Sequence, residues 1–139
     1  MRIMAIDYGD AHTGIAISDP TGFLTGFTTV INAYRPETVA QQVAALAKEH
    51  GAEELVLGHP KNMDGTRGPR AEKAEAMAEL LKEATGLPVV LWDERRTTID
   101  AHQILMSGGK NAKKRKKVVD AVAASLILEG YLTYKKSHP

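Results

Sequence analysis

Cysteine is missing from all 139 residues. That excludes a disulfide scaffold, a thiol nucleophile, and zinc or iron–sulfur sites built on thiolates, and it fits a reducing compartment, the cytoplasm. Aromatic residues make up only 5% of the chain, with one tryptophan, two phenylalanines and four tyrosines. No run of them forms the stacking platform by which single-stranded nucleic acids are held. No apolar run reaches the length of a membrane span. Asp7 and Asp10 interrupt any apolar stretch near the N-terminus that could act as a signal peptide. Neither a P-loop nor a serine-nucleophile pattern occurs.

What remains is an ordinary globular composition, 43% hydrophobic and 25% charged, at a length that suits one domain over residues 1–139. The net charge of +1 conceals an uneven distribution. Lys110 to Lys117 holds six of the 18 basic residues, which leaves 12 basic against 17 acidic residues elsewhere. One strongly positive segment therefore sits on an acidic remainder. Such a run is either a solvated face or a contact for a polyanion.

The stretch from Arg2 to Ser18 organises the rest. Ile3 to Ile6 is a short apolar run, as expected of a strand covered on both faces, and it ends on a carboxylate, Asp7. Gly9 and Asp10 supply turn chemistry, and Gly14 to Ser18 resumes as a second strand. Asp19 to Gly22 is a further turn, and Phe23 to Asn32 reads as a third strand, antiparallel to its neighbour. Pro36 opens a helix that carries Val39, Val43, Leu46 and Ala47 on one stripe and closes at His50 and Gly51. Glu54 to Gly58 is a fourth strand. A polar loop from His59 to Gly68 precedes a second helix, which begins at Pro69 and ends at Gly86. Val89 to Trp92 is a fifth strand, followed by the acids Asp93 and Glu94. Thr97 and Asp100 have capping-box spacing and start a short helix through Met106. The last helix is expected from about Val118 to Tyr134, with Ser107 to Lys117 as a mobile segment before it.

Strands four and five follow helices, so right-handed crossovers make them parallel to strand one. The expected fold is α/β: a five-stranded mixed sheet, three antiparallel strands plus two parallel, with helices on both faces. That topology brings the ends of strands one and five to one edge, where Asp7 and Glu94 approach each other. Asp120, near the start of the last helix, can join them, because Ala121, Ala123 and Ala124 allow close packing. Three such carboxylates repel one another unless a cation neutralises them. Carboxylate and water ligands suit Mg²⁺ or a similar hard ion, and a pair of such ions is the usual apparatus for phosphodiester hydrolysis. Each acid also has a purely structural use: Asp7 as a turn former, Asp120 as a first-turn residue favoured by the helix dipole, and Asp93 to Arg96 as a solvated run of ion pairs. His12, His59 and His102 lack metal-ligand spacing and read as surface or internally bonded side chains.

Four segments together resemble one family. They are Asp7-Tyr8-Gly9 with Gly14-Ile15-Ala16, Gly58 to Gly65, Asp93-Glu94-Arg95, and Val119 to Ala124. The chain is similar along nearly its whole length to the YqgF family, described both as Holliday-junction resolvases and as nucleases that mature the 5′ end of pre-16S ribosomal RNA. The resemblance implies a ribonuclease H-like fold related to the RuvC resolvases. It also implies catalysis by Asp7, Glu94 and Asp120 acting as ligands of Mg²⁺ or Mn²⁺, with two ions expected. Structured RNA or branched DNA would be the partner, bound by Lys61, Asn62, Arg67, Arg70, Arg95, Arg96, Lys113, Lys114, Arg115, Lys116 and Lys117. The protein would be a monomer or a homodimer in the cytoplasm. His12 departs from the pattern, since many relatives carry Arg or Lys there. Two other readings stand beside this one: a ribosome-assembly factor that binds RNA without cutting it, and a small phosphotransferase related to actin-like kinases. The second lacks the length for the further domain such kinases need.

Overall fold

The computed structural model describes residues 1–60, 68–93 and 112–138; for 112–120 it gives the course of the helix only. Strands β1 (Ile3–Asp7), β2 (His12–Ser18) and β3 (Thr25–Asn32) come first. Then follow α1 (Pro36–His50), β4 (Glu54–His59), α2 (Pro69–Thr85), β5 (Val89–Asp93) and α3 (Ala112–Ser137). The strands form one sheet in the order β3-β2-β1-β4-β5. β2 runs antiparallel to both β1 and β3, whereas β1, β4 and β5 are mutually parallel. The expected mixed sheet is thus the observed one. The sequence-predicted helix from Thr97 to Met106 lies outside the described residues.

Side-chain alternation divides the core in two. Met4, Ile6, Ile15, Ile17, Leu55 and Leu57 point to one face, where α1 and α2 cover them with Val39, Val43, Ala74, Met77 and Leu81. Ile3, Ala5, Ala16, Val56 and Trp92 point to the other, under Ala124, Ile127, Leu128, Tyr131 and Leu132 of α3. This two-sided cover explains why Ile3 to Ile6 is apolar without a break. The helix ends follow local chemistry. Pro36 and Pro69 occupy the first turns of α1 and α2, and Gly51 and Gly86 terminate them in the left-handed conformation at φ 68°.

Several boundaries differ from the sequence reading, and two of the differences have a clear local cause. β3 begins at Thr25 rather than Phe23. The Asp19 carboxylate accepts hydrogen bonds from the N–H groups of Phe23 (3.1 Å) and Leu24 (3.4 Å), so those residues belong to the turn. The last helix begins at Ala112 rather than near Val118, so the basic run from Lys113 to Lys117 is helical and not a free segment. Alanine, lysine and arginine are among the strongest helix formers, and no Gly or Pro interrupts them. Their charge opposes the helix dipole, and no acid occupies the first turn to offset it.

The other half of α3 is tied to the sheet by a polar clamp. The Tyr131 hydroxyl donates to Oε1 of Glu54, at the start of β4, and Lys135 reaches Oε2 of the same carboxylate at 3.1 Å. Trp92 meets the edges of Tyr131 and Tyr134 at ring separations of 5.8 and 5.7 Å.

Candidate active site

The site is built on the edge where the parallel strands end. Ile6 pairs with Leu57, so Asp7, one residue on, stands at the end of β1 beside the end of β4. On β4 and β5, Gly58 pairs with Trp92 and His59 with Asp93. Pleating then assigns the faces. Asp7 follows Ile3 and Ala5 and therefore lies on the α3 side. Asp93 follows Leu91 and shares its face with His59, on the α2 side. The two acids that end β1 and β5 thus lie on opposite faces of the sheet. Glu94 and the loop residues Lys61, Asn62, Arg67, Arg95 and Arg96 lie outside the described residues.

Position 120 lies one helical turn before Ala124, the fully buried small residue by which α3 approaches the sheet. It lies in the half of α3 nearer the helix start. Positions 113–117 occupy the turns before it.

Among the described residues no three His, Asp or Glu side chains converge as metal ligands. Asp7 alone of the three candidate acids has a described side chain. Its chemistry and half-buried place at a strand end fit a hard divalent cation.

His12 and His59 are both hydrogen-bonded within the protein. His59 is buried, and its Nε2 lies 2.6 Å from Oε2 of Glu75, tying the end of β4 to α2. His12 Nδ1 lies 2.6 Å from Oδ1 of Asn32, across β2 and β3. His102 lies outside the described residues.

Next to Asp7 the β1–β2 turn bounds a cavity of about 260 Å³, lined by Tyr8, Gly9, Asp10, Ala11, His12, Arg70 and Lys73. Arg70 is the one loop-flanking cation expected from sequence that falls in the described residues, and it lies here, in the first turn of α2. Lys73 and Tyr8 were not singled out by the sequence reading. A signal for Lys73 existed, because Arg70 and Lys73 stand at i and i+3 on one helix face. Lys73 Nζ is 3.1 Å from Oδ1 of Asp10. Burial, and secondarily the Asp10 carboxylate, push the Tyr8 phenol above its ordinary pKa, so it remains an O–H donor at neutral pH. The turn is tight: a Cβ built on Gly9 would lie 2.3 Å from the carbonyl oxygen of His12.

A mixed five-stranded sheet with this strand order, flanked by helices on both faces and carrying an acid at the end of its first strand, defines the ribonuclease H-like class. A solved structure agrees in fold: a Thermus thermophilus RuvC in complex with a Holliday junction substrate superposes with a TM-score of 0.62 at 15% identity, covering 98% of this chain and 96% of that one. The chain belongs to the family described as RuvX: Holliday junction resolvase, whose pattern matches residues 1–134. A relative from Halothermothrix orenii, 44% identical across 97% of this chain and 96% of its own, carries the provisional name pre-16S rRNA nuclease. One from Listeria monocytogenes, 46% identical over 95% and 97%, carries the same name. No helix among the described residues is long and apolar enough to cross a membrane.

Proposed function

We propose that this chain is a metal-dependent endonuclease that hydrolyses phosphodiester bonds in structured nucleic acid, with the 5′ end of precursor 16S ribosomal RNA as its foremost substrate and the Holliday junction as the second. The observation that carries the reading is Asp7, an acid held at the C-terminal end of a doubly covered strand, on the face over which α3 packs. The names of the relatives from H. orenii and L. monocytogenes support ribosomal RNA over branched DNA. Ribosomal RNA processing would make the cytoplasm its place of work.

In this mechanism Asp7, Glu94 and Asp120 hold Mg²⁺ or Mn²⁺, two ions in the full form of the proposal. When bound, the metal supplies activation of water and neutralisation of charge on the leaving oxygen. The chain's own work is to hold the carboxylates on rigid elements and the polyanion against them. Asp93, on the far face, is left out of the ligand set. Lys61, Arg67, Arg70, Arg95, Arg96, Lys113, Lys114, Arg115, Lys116 and Lys117 neutralise backbone phosphates, and the Asn62 amide donates a hydrogen bond to one.

The test is a panel of a precursor 16S 5′ segment, a four-way junction and a plain duplex, each with Mg²⁺ or Mn²⁺. The RNA should be cut fastest, and Glu94→Gln should abolish cutting, while Asp93→Asn costs far less. Preferred cutting of the junction would move the assignment to resolution, which needs two active sites and hence a symmetric dimer. Binding without cutting under every condition would instead establish a non-catalytic RNA-binding factor.

A further inference from the structure

The cavity beside Asp7 is open, polar and small. Drug-sized ligands occupy roughly 300–1,000 Å³ of mostly apolar pocket, and this one, at about 260 Å³ with Arg70, Lys73 and the phenol of Tyr8 on its walls, suits a single charged backbone group better than a base. Two features show a preference for an anion. Arg70 and Lys73 stand together in the first turns of α2, where the helix dipole disfavours cations, and an anion between them would reverse that cost. The N-cap of that helix, Gly68, offers no side chain to its first N–H groups. In the free protein an anion is in fact present, and the chain provides it: the Asp10 carboxylate, at the tip of the β1–β2 turn, pairs with Lys73 at 3.1 Å. Both partners are mostly exposed, at 59% and 83% of their side-chain surface, so the pair is weak and exchangeable. Arg70 has no carboxylate partner among the described residues.

We propose that this cavity is a phosphate-anchoring subsite for the nucleic-acid backbone, and that Asp10 fills it in the free protein as a stand-in for the phosphate it must yield to. The inference rests on the nucleic-acid reading above and adds a particular contact to it. Tyr8 packs on the α1–α2 side of β1, while Asp7 lies on the α3 side. The anchored phosphate is therefore not the one cut; it lies across the end of β1 from the candidate acids. Arg70 and Lys73 neutralise it, and the Tyr8 hydroxyl donates to a non-bridging oxygen. Asp10 sets a threshold, because an incoming phosphate has to replace it on Lys73.

The experiment measures binding of a fluorescein-labelled DNA duplex in metal-free buffer over a salt series, so that cleavage plays no part. The Arg70→Ala/Lys73→Ala double variant should lower the slope of log affinity against log salt by about 1, the contribution of one phosphate. Asp10→Asn should do the reverse of what losing a turn residue would do, tightening binding by up to about fivefold at low salt, the range of an exposed ion pair. Lys82→Ala, at the far end of α2, should keep the wild-type slope. Melting curves check that each variant is folded. An unchanged slope in the double variant, weaker binding by a folded Asp10→Asn, or an equal loss in Lys82→Ala overturns the proposal. If the slopes behave as expected and the wild type cuts nothing in the substrate panel, the subsite stands and the nuclease reading falls.

Discussion

Gly9→Ala is a substitution of one methyl group whose consequence can be worked from the turn itself. The added Cβ would lie 2.3 Å from the backbone carbonyl oxygen of His12 and 3.5 Å from its carbon. The obstacle is main chain, not the end of a flexible side chain, so relief requires the β1–β2 turn to open. Overpacking of this kind costs about 1–3 kcal/mol. For a domain of this size each kcal/mol corresponds to a fall of roughly 3–5 °C in melting temperature, so a fall of about 3–15 °C is expected. The damage is local to the functional edge, since Asp7 is two residues before the glycine. A displacement there of about 1 Å is worth on the order of 100-fold in rate. Gly51→Ala serves as the comparison. Its Cβ would meet nothing within 4 Å, but its φ of +68° is strained for alanine, at a cost of about 1–2 kcal/mol. Circular-dichroism melts and single-turnover cleavage of the precursor RNA segment should therefore separate the two: both variants lose stability, and only Gly9→Ala loses its cutting rate. If Gly9→Ala melts with the wild type and cuts at its rate, the turn is not the rigid support for Asp7 described above.

Millimolar Mg²⁺ or Mn²⁺ should raise the melting temperature, by about 2.7 kcal/mol of stability at a hundredfold excess over Kd, and Asp7→Asn should blunt the rise; a wild-type curve insensitive to metal up to tens of millimolar refutes the metal site. Tyr131→Phe removes the hydrogen bond to Glu54 and should cost about 1–3 kcal/mol in urea titrations. Burial first, then the bond to Glu54, raises the Tyr131 pKa. A raised folded-state value means that the stabilisation is present below the ordinary tyrosine value of about 10 and fades as pH climbs beyond it toward the folded value. The alkaline decline of stability should therefore be shallower in Tyr131→Phe, and equal slopes would show that Tyr131 titrates alike folded and unfolded.

Much of this architecture is visible in the residues because local and tertiary demands coincide there. Pro36, Pro69, Gly51 and Gly86 mark helix ends by backbone chemistry that needs no partner, and the unbroken run from Ile3 to Ile6 announces a strand covered on both sides. Asp7 is legible for the same reason, as a charge that ends such a run. The misjudged boundaries lie where a side chain or a propensity overrides the pattern. Asp19 captures the N–H groups of Phe23 and Leu24, and the helix propensity of the basic run carries the last helix back to Ala112, ahead of the expected start near Val118. The phase of β5 was readable only in part, since the alternation predicts that Asp93 and Glu94 diverge, but which of them turns toward Asp7 needs the register with β4. The cavity was beyond reach, because Tyr8 and Asp10 meet Arg70 and Lys73 only after two strand crossings have brought the start of α2 over the first turn.

The Glu54 clamp has a mechanical consequence. Tyr131 and position 120 lie on one unbroken helix, about 16 Å apart along its axis at 1.5 Å per residue. A helix of that length is a stiff rod, so its seat on the sheet acts as a fulcrum. A small tilt where Tyr131 and Lys135 grip Glu54, at the N-terminal margin of β4, becomes a larger swing at the opposite margin, where β1 ends on Asp7. The alignment of the two ends of the lever is thus set by a carboxylate with no chemistry of its own to perform, and wear at that bearing would be felt first at the far end.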